Sequence, residues 1–218
     1  MTRYRITLLL PPVVALLALA PAAPRAVGEF EDHSNVGKVD LAGSADYDAG
    51  RGEYRVTGSG ENVWGKADAF HFLWRKASGD LSLGFKVQFV GEGGNAHRKA
   101  CGMVRQTLDA DAPYADVAVH GDGLISLQYR REKGGVTEER KSPVKGPAAV
   151  RLERTGDAFK LFVAPEGKPE ASVGPVMVAL KDPVYVGLGV CSHDAAISET
   201  AVFSGASVRA DAPKRESK

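Results

Sequence analysis

The stretch LSLGFKVQF alternates Leu81, Leu83, Phe85, Val87 and Phe89 with Ser82, Gly84, Lys86 and Gln88. A period of two puts the apolar set on one face of a β-strand and the other set on the opposite face. A strand with one apolar and one polar face belongs to an antiparallel sheet packed on one side. The same alternation recurs along the chain. It predicts strands at Gly52–Thr57, Ala69–Arg75, Lys99–Thr107, Ala115–His120 and Leu124–Arg131. It continues at Ala148–Thr155, Ala158–Ala164, Val173–Leu180, Val184–Cys191 and Thr200–Arg209. HGDG after Val119 and TGDA after Arg154 are hairpin-turn sequences. The 25 glycines suit many tight turns. No long amphipathic helix is legible. About a dozen short strands with glycine-rich turns point to an all-β antiparallel sandwich or barrel. The strands at Val184–Val190 and Thr200–Val208 are expected to pair and close it.

The N-terminus departs from this pattern. Arg3 and Arg5 precede an apolar run from Leu8 to Ala20, and Ala20-Pro21-Ala22 offers a small-residue cleavage site. That is the form of a secretory signal peptide over residues 1–22, with cleavage as late as residue 26. The run is too short for a membrane span, which needs about 20 residues. The expected mature domain covers 27–209 and has no membrane span. A polar tail, expected to be disordered, follows at 210–218. The destination is the cell exterior or periplasm. The 28 basic residues nearly balance the 27 acidic ones, so no basic stripe invites nucleic acid. Cys101 and Cys191 are the only cysteines. An exported pair can bridge, or each can pack as a small hydrophobe inside its strand.

Three segments carry a family resemblance: GSGENVWGKADAFHFLWRKASGDLSLGFKVQF (Gly58–Phe89), HRKACGMVRQTLDADAPYADVAVHGDG (from His97), and the opening of the mature chain. Together they resemble the concanavalin A-like lectin/glucanase superfamily, in particular secreted bacterial domains of the DUF1349 and laminin-G-like groups. The resemblance spans about Phe30 to Val208. It implies a jelly-roll sandwich of two antiparallel sheets, with carbohydrate bound on the concave face.

The hydrolases of that superfamily use closely spaced acidic residues on one strand. The i,i+2 carboxylate pairs here are Glu29/Glu31, Asp46/Asp48 and Asp109/Asp111. The first lies beside the mature N-terminus, and the other two read as turn sequences. This points away from a catalytic acid pair and toward a non-catalytic binding module. A glycan-active hydrolase and a structural envelope domain are the alternatives. The five histidines show no H-x-H or H-E-x-x-H spacing. For calcium, Asp109, Asp111 and Asp122 are the candidate ligands.

The more informative signal lies in the strand phases. Gly102 and Val104 share one face, and Met103 and Arg105 the other. Val117 and Val119 point inward, with Asp116 and His120 outward. Ile125, Leu127 and Tyr129 point inward, with Gln128 and Arg130 outward. The candidate ligand-binding set is Arg105, Asp116, His120, Gln128 and Arg130, with Trp64 and Tyr114 at the rim. Trp64 either meets a ligand or plugs its loop. Trp74 shares the phase of Phe70 and Phe72 and is expected in the core. Arg105 and Asp116 are also placed to pair with each other.

Overall fold

The computed structural model describes residues 26–210. The expected signal peptide at 1–22 and all but the first residue of the expected tail at 210–218 lie outside the described residues. The described chain is all-β, with sixteen strands: β1 (Asp32–Val36), β2 (Ser44–Asp48), β3 (Glu53–Gly60), β4 (Val63–Trp64), β5 (Ala67–Asp68), β6 (Phe70–Ala77), β7 (Leu81–Phe89), β8 (Lys99–Arg105), β9 (Tyr114–His120), β10 (Ile125–Arg130), β11 (Glu138–Lys141), β12 (Ala149–Thr155), β13 (Ala158–Ala164), β14 (Ala171–Met177), β15 (Val184–Cys191) and β16 (Asp194–Ala210). Among the described residues no helix is long and apolar enough to cross a membrane.

Two seven-stranded sheets pack face to face. The first runs β1-β6-β15-β8-β9-β10-β11 and the second β14-β13-β12-β7-β16-β3-β2. Every pairing is antiparallel. Burial follows the alternation of the sequence. Leu81, Leu83 and Phe85 are buried, whereas Lys86 and Gln88 are exposed. Leu83, Phe85, Leu152, Leu161 and Phe203 meet Leu73, Val104, Val117, Leu127 and Leu188 in one continuous core. Phe85 stands edge-on to Phe203, with ring centroids 5.3 Å apart. It also fills the space where a Cβ on Gly102 would lie, so only glycine at 102 lets the two sheets approach there.

The closing segment differs from the sequence expectation. β15 and β16 do not pair with each other: β15 sits between β6 and β8 in the first sheet, and β16 between β3 and β7 in the second. Period-2 alternation marks both as strands but carries no information on which sheet each joins. His193, in the crossover between them, has a left-handed φ of 58°.

A second apolar layer covers the outer face of the first sheet. Phe70, Phe72, Cys101, Met103, Tyr114 and Cys191 point away from the inter-sheet core and pack under Val63. Phe70, Phe72 and Trp74 do share a phase, but it is the phase of this outer layer; Leu73 is the residue that enters the main core. The two cysteines are free and buried. Cys101 pairs with Gly189 across the ladder, and Cys191 with Lys99. They are therefore diagonal neighbours, roughly 7–8 Å apart in such ladders, beyond the usual Cα span of a disulfide.

Phe85→Ala is expected to cost about 3–5 kcal/mol through lost transfer energy and a cavity. Lys86→Ala is expected to cost under about 0.5 kcal/mol. Chemical denaturation of the two variants checks this; equal costs would mean the strand faces are reversed.

Candidate functional site

The outward-phase residues do come together on the outer face of the first sheet, because β8, β9 and β10 are neighbours. The register sets Met103 and Gln128 on either side of Asp116, and Arg105 and Arg130 on either side of Tyr114. They fall into two groups.

Arg105, Arg130 and Tyr114 have no solvent exposure. The β4–β5 hairpin and the loop 106–113 lie over them, and the short β5 strand supplies their partner, Asp68. Arg130 forks onto that carboxylate, Nη2 to Oδ1 at 2.8 Å and Nη1 to Oδ2 at 2.9 Å. Arg105 Nη2 approaches Oδ2 at 3.5 Å. Arg130 also donates to the Gly65 and Ala112 carbonyls, and Arg105 to those of Thr107 and Asp109. Tyr114 hydroxyl bonds the Thr137 hydroxyl at 3.0 Å. Burial holds the Asp68 carboxyl above the usual aspartate value, against the downward pull of the Arg130 hydrogen bond and the charges of Arg105 and Arg130. These three residues therefore hold the covering hairpin and loop in place and are out of a ligand's reach. The expected Arg105–Asp116 pair does not form; Arg105 is committed to Asp68. The sequence offered no phase clue to Asp68, since a two-residue strand shows no alternation.

His120 and Gln128 are different. They line a cavity of about 280 Å³ with Trp64, His97, Lys99 and Glu139. Trp64, on β4, is 38% exposed. Lys99 Nζ donates to the Asn62 side chain at 2.8 Å and the Val63 carbonyl at 2.7 Å, and sits 5.3 Å from the centre of the Trp64 ring. Burial pulls its amine below the usual lysine range. Gln128 Nε2 donates to Ser126 Oγ at 3.2 Å and Glu139 Oε1 at 3.0 Å, which fixes its amide orientation. Its Oε1 is buried with no partner, as are His120 Nδ1 and His193 Nδ1. Burial brings His120 down to about 4, so the imidazole is neutral at physiological pH.

Asp116 lies beneath this cavity, next to Gln128 in the ladder. It is fully buried, and neither carboxylate oxygen has a hydrogen-bond partner. Burial pushes it up to about 8, against the pull of the Lys99 charge. It is therefore neutral at pH 7 and serves the floor of the site rather than its surface.

Lys99, His97 and Glu139 escape the sequence reading, and His193 reads as a turn residue, with a place in a ligand rim as the alternative. Lys99 shares the outward phase of Met103 and Arg105, so its alternation could have found it. Glu139 sits on β11, an edge strand of four residues with no apolar period. His97 and His193 are loop residues that only the fold unites, with ring centroids 5.5 Å apart. Among the described residues no group of three or more side chains is arranged to hold a metal ion. The calcium candidates separate: Asp109 and Asp111 both clasp Lys133, at 2.7 and 2.6 Å, while Asp122 caps the β9–β10 turn through the Leu124 amide. The Asp46/Asp48 pair ends β2 in the opposite sheet, rather than lying wholly in a turn; only Asp48 caps the turn that follows.

With this geometry in hand, likeness to solved structures becomes informative. No family model and no curated protein matches the sequence. A functionally unknown protein from Saccharomyces cerevisiae superposes with a TM-score of 0.61 at 18% identity, over 83% of this chain and 97% of that one. The carbohydrate-binding module CBM66 from Bacillus subtilis gives 0.51 at 18% identity, over 84% and 98%. Lectin UEA-II, complexed with galactose, gives 0.52 at 9% identity, over 83% and 98%. The GH43 protein BlXynB from Bacillus licheniformis also matches, at 0.52 and 14% identity, with 86% of this chain aligned to 41% of that one. The fold is the concanavalin A-like sandwich. At these identities the likeness is one of fold.

Asp116 supplies the test of this site. Its folded-state value of about 8 exceeds the roughly 3.9 of an unfolded aspartate. The folded state thus holds the proton more tightly, and stability must fall as pH rises from about 4 to about 8. Asp116→Asn removes that loss and leaves the His120 contribution in place. The melting-temperature advantage of Asp116→Asn over wild type is expected to grow between pH 5 and pH 8.5. A difference constant across that range would mean that Asp116 is ionised in the fold.

Proposed function

We propose that this chain is a non-catalytic carbohydrate-binding module that acts at the cell exterior. The observation that carries the reading is the cavity beside Trp64, where an exposed indole borders buried polar atoms with no partner. Gln128 Oε1 and His120 Nδ1 are buried without a partner, and a hydrogen bond from a ligand hydroxyl would offset that burial. A sugar ring offers several hydroxyls that both donate and accept, and its apolar face suits an aromatic surface. A few fixed polar groups in a concavity are what a binding site needs. The fold's occurrence in a carbohydrate-binding module and in a galactose-complexed lectin supports the same direction.

Binding is favoured over hydrolysis by the placement of the carboxylates. Glu29 is engaged with Arg75 and the Val208 amide, Glu31 with the Lys76 amide, and Asp109 and Asp111 with Lys133. Asp116 is sealed beneath the floor. None of these offers the facing acid and base that glycoside hydrolysis requires. Export through the leader at residues 1–22 belongs to this reading, as does a place among the DUF1349- and laminin-G-like domains.

A glycan array probed with the mature protein is expected to show binding to a defined carbohydrate class. Trp64→Ala is expected to weaken it by about tenfold or more, roughly 1.4 kcal/mol, with little change in melting temperature. Release of reducing ends from the bound glycan would overturn the non-catalytic reading, and an empty array would overturn the carbohydrate reading.

A further inference from the structure

Trp64 borders two cavities. The smaller, of about 280 Å³, is the one built on His120 and Gln128. A larger one, of about 760 Å³, opens on its other side, lined by Lys38, Asp40, Glu61 and Ala110. Asn62, Trp64 and His193 line both, so the two cavities meet at one shared wall. The indole stands on that wall. It is held from beneath: Lys99 lies against the ring and bonds to Asn62 and Val63, the Ala69 amide donates to the Asn62 carbonyl at 2.7 Å, and the Gly65 carbonyl accepts from the Thr137 amide at 2.8 Å. A tryptophan fixed in this way is a rigid platform between two chambers and loses little freedom when a ligand covers it.

The sizes differ in what they admit. Pockets for single small ligands run from about 300 to 1,000 Å³. The smaller chamber is at the bottom of that range and suits one sugar ring; the larger accommodates more than one. The charges of the two chambers also balance. Lys99 and Lys141 face Glu139 in the smaller chamber, and Lys38 faces Asp40 and Glu61 in the larger. Asp68, which also borders the larger chamber, is outweighed by Arg105 and Arg130, and the one net positive charge of that cluster lies on guanidiniums with no solvent exposure. The open lining sets three lysines against three carboxylates, so the joined cleft has no strong field to draw a polyanion.

We propose that the cleft takes an internal stretch of a neutral, linear oligosaccharide of about three units or more, laid across Trp64 with rings in both chambers. The inference rests on the carbohydrate reading above and adds to it the form of the ligand: a chain rather than a terminal sugar, and uncharged rather than acidic. Glu139, Gln128 and His120 hold one ring, Trp64 carries the next, and Lys38, Asp40 and Glu61 meet those beyond.

Calorimetric titration tests this with oligosaccharide ladders of one to six units from the cello-, laminari-, xylo-, malto- and fructo- series, and with polygalacturonate as the anionic probe. In the series that binds, affinity is expected to rise about tenfold or more between one unit and four. A Glu61→Ala/Lys38→Ala double variant is expected to lose most of that gain while binding the single sugar as wild type does. Both substitutions are at exposed positions, and an unchanged melting temperature shows that the fold is intact. Equal affinity for one unit and four, or a double variant that binds the tetramer as wild type does, would overturn the chain inference while leaving carbohydrate binding in place. Tighter binding of polygalacturonate than of every neutral ladder would overturn the neutral assignment. Failure of every probe, neutral and anionic alike, would overturn the inference together with the reading it rests on.

Discussion

Asp68 is a carboxylate with no exposure, gripped by two arginines with no exposure. Taking three charges out of water is costly, and such clusters are weak sources of net stability. Their effect is directional. Replacing Asp68 leaves two buried guanidinium charges uncompensated, so the hairpin carrying Asp68 has one place to dock. Arg130 reaches from Asp68 to the Gly65 carbonyl, beside Trp64, and Arg105 reaches to the loop after β8. One carboxylate thus fixes both covers of the outer face and, through them, the wall between the two chambers. The cleft around Trp64 depends on a buried ion cluster beneath its cover.

The fold was legible because its core obeys period two. Leu81 to Phe89, the β8–β10 phases and the HGDG turn appear in the structure as the alternation requires. What alternation cannot convey is pairing between distant strands, which is why β15 and β16 proved to belong to opposite sheets. It also cannot reveal very short or edge strands. β4, β5 and β11 carry Trp64, Asp68 and Glu139, and none has enough residues or enough burial contrast to show a period.

The site was legible in part for a related reason. Phase correctly put Arg105, Asp116, His120, Gln128 and Arg130 on one face. It treated that face as open. The outer layer of Phe70, Phe72, Met103 and Tyr114, with Val63 above it, divides the polar set into a sealed half and an open half. Arg105 and Arg130 went to the sealed half because Asp68 is there to receive them. His120 and Gln128 line the cavity beside Trp64 and retain buried, unpartnered atoms. Asp116, with no cation in bonding reach, remains neutral between them.

The most direct test of this account is hydrogen exchange on Asp68→Asn, an isosteric change that removes the charge between the arginines. The account predicts that the Ala69 and Thr137 amides, which bond across the hairpin to Asn62 and Gly65, exchange about a hundredfold faster or more, equivalent to roughly 2.7 kcal/mol of local opening. The Leu83 and Phe85 amides, in the inter-sheet core, should stay close to their wild-type rates. Equal acceleration throughout the molecule, or no acceleration in the hairpin, would contradict the claim that Asp68 fixes the cover of the site.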